Sequence, residues 1–126
     1  MDSFITVSGN LTRTPEIRFS DSGTSVVRFG IAVNRKRKNG EENTSFYDVV
    51  AFGSTAENLA NSLSSGDRVI VAGHQEVRTF DKKDGTKGTA VEIVADEVGA
   101  SFRFATASVA KNPRRTSEPG YDDSSF

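Results

Sequence analysis

This 126-residue chain predicts an all-β fold, a five-stranded Greek-key barrel with one helix between its third and fourth strands and a disordered C-terminal tail. Three observations carry that expectation. Apolar and polar residues alternate with period two through most of positions 1–109, one stretch around 54–66 switches to a helical period, and positions 110–126 show no period.

The first strand is Phe4 to Leu11. A short extended piece, Glu16 to Ser20, follows Pro15 and ends in an Asp21-Ser22-Gly23 turn. The second strand, Val26 to Asn34, places Val27, Phe29, Ile31 and Val33 on one face and Arg28, Gly30, Ala32 and Asn34 on the other. Asn39-Gly40 is a strong hairpin signal, so the chain turns back into a third strand, Thr44 to Gly53. In Ser54-Thr55-Ala56-Glu57 the spacing fits a capping box, and Ala56, Leu59, Ala60 and Leu63 form one apolar stripe before Gly66 stops the helix. A fourth strand runs from Arg68 through Gly73 and Val77 to Phe80, Asp84-Gly85 turns it, and Thr89 to Val94 returns as the fifth. Phe102 to Val109 is a candidate for one more. This order of strands around a single helix is that of an OB barrel. The chain divides at Val109 into a domain, 1–109, and a polar, proline-containing tail, 110–126, too poor in apolar residues to offset its ordering entropy.

Composition narrows the function. There is no cysteine, which excludes disulfides and thiolate metal sites, and His74 is the only histidine. No nucleophile elbow, phosphate loop or zinc-protease motif occurs, so a binding module is expected rather than an enzyme, with no cofactor. The opening MDSFITV lacks the basic and apolar regions of a signal peptide, which makes the cytoplasm the expected compartment and no membrane partner is expected. Net charge is −1, yet the cations are clustered: Arg35, Lys36, Arg37 and Lys38 in one turn, Lys82, Lys83 and Lys87 about another.

Aromatic side chains lie beside those basic turns. Alternation puts Phe46 and Phe52 on one face with Asp48 and Val50, and Tyr47, Val49 and Ala51 on the other. Two rings sharing a face with a carboxylate make a poor dry core and a good stacking platform. Phe80, after Arg78 and before Asp81-Lys82-Lys83, is also expected to be exposed. Stacking on bases tolerates any sequence, and clustered cations lose their self-repulsion when phosphates approach. Phe4, Phe19 and Phe29 are assigned to the core or to a subunit contact. Two alternatives stay open at this point: an RNA-binding or primosome-type OB module, and an oligomeric scaffold that binds no nucleic acid and buries these aromatics at subunit contacts.

The stretches GNLTRTPEIRFSDSGTSVVRFGIAVNR, FYDVVAFGSTAENLANSLSSGDRVIVAG and VRTFDKKDGTKGTAVEIVADEVG resemble, in order, the bacterial and phage single-stranded DNA-binding proteins. GASFRFATASV is similar to the extension of actinobacterial members, in which an extra strand clamps subunits. The resemblance implies a nucleoid-associated OB-fold homotetramer that binds single-stranded DNA in replication, recombination and repair. It carries the stacking aromatics onto Phe46, Phe52 and Phe80, a further aromatic position onto Arg37, and basic DNA-facing positions onto Arg18 and Arg78; Arg28 and the two basic turns complete the expected DNA contacts. Expected oligomer contacts are Phe4, Tyr47, Phe102 and Phe104. The tip, Asp122, Asp123 and Phe126, is expected to recruit replication and repair proteins.

Overall fold

A computed structural model describes residues 3–113. It contains β1 (Ser3–Leu11), β2 (Arg18–Phe19), β3 (Ser25–Lys36), β4 (Glu42–Phe52), α1 (Gly53–Ser62), β5 (Arg68–Asp81) and β6 (Lys87–Ala100). The sheet order is β1-β5-β6-β4-β3-β2, and a further pairing of β1 with β3 closes the five long strands into a barrel. The predicted fold class is therefore present, with α1 between the third and fourth barrel strands. The two-residue β2 adds only an edge to β3.

Alternation determines what the barrel encloses. Val27, Phe29 and Ile31 of β3 meet Val49 and Ala51 of β4, Val69 and Val71 of β5, Val7 and Leu11 of β1, and Ile93 of β6. Ala56 and Leu59 of α1 cover one end of this core, with Ala60 and Leu63 packed beside them, so the predicted apolar stripe is the face that docks. Full burial of a side chain such as Phe29 or Ile31 favours the folded state by about 1.5–3 kcal/mol.

The helix ends differ from expectation. Strand β4 runs into α1 without a loop, which makes Phe52 the N-cap and places Ser54 within the first turn, with no side-chain cap. Glu57 does not reach back to the helix start; its carboxylate accepts from the Ser25 hydroxyl at 3.2 Å. At the other end Leu63 is the C-cap, and Gly66 lies beyond the helix, where its N–H donates to the Leu11 carbonyl at 2.9 Å.

Both basic turns share one geometry. Gly40 N–H donates to the Arg37 carbonyl at 3.0 Å and Arg37 N–H to the Glu41 carbonyl at 2.7 Å; Gly85 to Lys82 (3.0 Å) and Lys82 to Thr86 (2.9 Å) repeat the pattern. Gly40 (φ 89°) and Gly85 (φ 87°) each take the left-handed position, while Asn39 stays at negative φ. The hairpins thus close by a type I turn with a glycine bulge, rather than the tighter two-residue turn that Asn-Gly often makes.

The candidate strand Phe102 to Val109 does not form. Ser101 N–H still donates to the Arg68 carbonyl at 2.9 Å, but Arg68 is the first residue of β5, so no partner backbone continues the ladder. The segment instead passes near α1, where the Asn112 side-chain amide donates to Asn58 at 2.8 Å. Asp122, Asp123 and Phe126 lie outside the described residues. Among the described residues no helix is long and apolar enough to cross a membrane.

Candidate nucleic-acid interface

Strands β4 and β6 pair in parallel at two positions only, Val49↔Ile93 and Val50↔Val94. Beyond that seam the β3–β4 and β5–β6 hairpins part, each ending in one of the basic turns. Register fixes which side chains share a face. In β4, Phe46 lies opposite Ala32, Asp48 opposite Gly30, Val50 opposite Arg28 and Phe52 opposite Val26. In the other hairpin Phe80 lies opposite Gly88, Arg78 opposite Ala90 and Glu76 opposite Glu92.

One ion pair shows that these two surfaces are continuous. The Arg28 Nε donates to the Glu92 carboxylate at 3.3 Å, from β3 to β6 across the intervening β4. Val50 lies between them, in register with Arg28 on one side and Val94 on the other, and is 1% exposed although it faces outward. Because Phe80 and Arg78 share Glu92's side of their hairpin, they share a face with Arg28, Phe46, Asp48 and Phe52.

Phe46 is 73%, Phe52 47% and Phe80 41% exposed, as expected from alternation for the first two and from its place beside a basic turn for the third. Phe80 keeps its position through its neighbour: a Cβ on Gly88 would sit 2.7 Å from the Phe80 Cζ, so the ring lies directly across the glycine. The Lys82 stem lies beside it, its Cε 2.8 Å from the same point, and Lys83 stands in the turn.

Other expected residues fall elsewhere. Lys87 pairs in register with Asp81 and forms an ion pair with it on the Val77–Thr79 side, the opposite face of the hairpin from Phe80. Lys36 is on the Phe46 side of β3 and Arg35 on the reverse, while Lys38 lies in the turn. With the Asn43 amide turned so that its oxygen faces the guanidinium, Arg37 donates to it from Nε and Nη2 at 3.0 Å. Arg18 is exposed and paired with Glu16 at 3.1 Å.

Of the expected oligomer contacts, Phe4 is exposed on β1, and Tyr47 is half-buried against the core of its own chain. Phe102 and Phe104 are exposed, with the guanidiniums of Arg68 and Arg103 at 5.7 and 5.1 Å from the Phe104 ring centre. Phe29 is core as expected. Phe19 is not core: it is 70% exposed, because β2 is too short and too near the sheet edge for another element of the chain to cover it, which leaves the subunit contact as its expected role. Arg13, not among the expected contacts, lines a groove beside Phe52 with Arg18 and Arg28. No periodicity marks it, since it lies in a loop. Among the described residues no cluster of His, Asp or Glu has the makings of a metal site.

Residues 3–101 match the model of the single-strand binding protein family. The chain is 43% identical over 119 residues to the single-stranded DNA-binding protein of Mycobacterium leprae, covering 90% of this chain and 71% of that one. Its similarity to the Paenarthrobacter aurescens protein of the same name is 38% over 123 residues (93% and 72%), and to that of Corynebacterium glutamicum 42% over 119 residues (90% and 53%). A closed barrel of this strand order, matched through its whole described core, therefore belongs to the single-strand binding protein family.

Proposed function

We propose that this protein binds single-stranded DNA without sequence preference, by stacking bases on Phe46, Phe52 and Phe80 and holding phosphates with cations of the same face. The observation that carries the reading is the continuity of that face. Three exposed rings on two hairpins are joined into one surface by the Arg28–Glu92 bridge, and a basic turn lies at the end of each hairpin. Rings offer every base the same π-face, and the cations release counterions on meeting phosphate. A scaffold that buried these aromatics between subunits would show no DNA binding for their substitution to weaken.

Titration of each of Phe46→Ala, Phe52→Ala and Phe80→Ala with fluorescently labelled oligo-dT tests this. Each loses about 1–3 kcal/mol, roughly 5- to 150-fold in affinity. Affinity unchanged in all three variants would reject the stacking path. A matched RNA in competition separates the RNA-binding alternative, which requires RNA to displace the DNA at equal concentration.

The reading extends to replication, recombination and repair, to a homotetramer, and to recruitment of partner proteins by Asp122, Asp123 and Phe126. The β1 edge supports assembly, because β1 pairs with β3 only at Asn10 and Leu11 and leaves Ser3 to Ser8 with one ladder. Light scattering giving a monomer mass would remove the tetramer, and pull-down unchanged by deletion of Pro119 to Phe126 would remove the recruitment.

A further inference from the structure

Beside Phe52 the stacking face drops into a groove of about 710 Å³ between the loop after β1 and the β3–β4 edge. That size is within the range of about 300–1,000 Å³ typical of small-molecule sites. Its lining includes three arginines, Arg13, Arg18 and Arg28, against the single acid Glu16, with Phe19, Val26 and Phe52 as the apolar part. Arg18, Val26 and Phe52 form one row across three strands, in register, so the groove continues the stacking face rather than opening on a different side.

The three arginines are not equivalent. Arg18 is occupied by Glu16 at 3.1 Å and Arg28 by Glu92 at 3.3 Å. Arg13 has no hydrogen-bond or ion-pair partner among the described residues, although both of its neighbours are tied down. Thr12 N–H donates to the Gly30 carbonyl at 3.0 Å, and the Thr14 hydroxyl accepts from Ser65 N–H at 3.0 Å. Gly30 permits the first of these: a Cβ there would come 2.7 Å from the Thr12 hydroxyl. Pro15, buried, fixes the next position of the loop. An exposed cation on a loop anchored at both sides has paid most of its backbone ordering cost before any ligand arrives.

We propose that this groove is a nucleotide subsite at one end of the DNA path, in which Arg13 holds a phosphate of the nucleotide whose base stacks on Phe52. The subsite rests on the DNA-binding reading given above. Arg13 is the cation available without breaking an internal ion pair, and the shared groove makes its contribution depend on the Phe52 ring. A base without its stacking partner does not hold its phosphate there.

The test is a set of titrations with oligo-dT of about 16 nucleotides, the upper site size for one OB fold. Arg13→Ala weakens binding on the order of fivefold and flattens the slope of log K against log salt by about 0.7, the share of one phosphate on a single strand. Arg13→Lys keeps the slope. In a Phe80→Ala background Arg13→Ala causes its full loss; in a Phe52→Ala background it causes less than about a twofold loss, since contacts that share a ligand group are non-additive. Wild-type binding with no loss in Arg13→Ala, or equal losses in the two backgrounds, overturns the subsite and leaves the DNA-binding reading standing. Failure of the wild-type chain to bind the oligonucleotide overturns both.

Discussion

Phe80 shows how one small residue can set the aim of a large one. Its ring crosses the backbone of Gly88 on the neighbouring strand, so close that a side chain there would push the ring aside. Backbone glycine is ordinarily a weakness in a strand, but here the aromatic covers it and is oriented by it. Gly88→Val therefore displaces the ring, and with it one of the proposed stacking positions, while the turn at Asp84-Gly85 is untouched. Oligo-dT affinity falls about tenfold, close to the loss in Phe80→Ala, and the two changes together cost little more than either alone. Additive losses in that double variant would show that Gly88 acts by another route.

The rest of the site was legible in the sequence to an uneven degree. Phe46 and Phe52 were readable because period-two alternation alone separates them from Val49 and Ala51, whatever the strand pairs with. Lys87 was not, since its face depends on which residue of β5 it opposes, and that register places it with Asp81 behind the hairpin. Arg28 looked free because its partner, Glu92, is 64 positions away. Phe19 was open between the core and a subunit contact, since a large ring on a strand is normally covered, and the shortness of β2 removes the core.

Among the elements, the β5–β6 hairpin carries its own pH dependence. At its tip the Asp84 carboxylate accepts from the Thr86 hydroxyl at 2.6 Å and the Thr86 N–H at 3.0 Å, and these bonds hold its pKa below the ordinary 3.8. A group whose folded pKa is depressed stabilises the folded form above its unfolded value and loses that contribution as pH falls through the folded one. The tip is therefore indifferent to pH above about 5 and loosens below 3.8. Amide exchange at Thr86, followed by NMR against pH, rises in that acidic range relative to Val71 in the core. An Asp84→Asn variant, which keeps an acceptor oxygen but no charge to lose, flattens the response. A rise at Thr86 already under way at neutral pH would contradict the assignment. The elements themselves were largely legible, and the exceptions have local causes. The cap at Ser54 failed because β4 enters α1 directly, and the strand at Phe102 failed because β5 had no residues left to pair.

For the whole molecule, cations on the face proposed to bind DNA are offset by carboxylates on the same face. Arg18 is held by Glu16, Arg28 by Glu92, and Asp48 stands between Phe46 and Phe52. A phosphate reaching either arginine displaces a carboxylate, so part of the electrostatic gain is returned. Binding should accordingly depend less steeply on salt than its count of cations suggests. In a titration across ionic strength, Asp48→Lys steepens the log–log slope by about 0.7–1.4, the effect of one charge removed and one added. A slope unmoved by this substitution would show that phosphates do not pass Asp48.

The short seam between β4 and β6 has a consequence for how a ligand gets in. Two register positions join the strands, and past them the hairpins stand apart with the aromatic face open along its length. Among the described residues nothing encircles this face, so a polymer following the proposed path enters broadside. A covalently closed circle of single-stranded DNA, which offers no end to thread, is as accessible to this fold as a linear one.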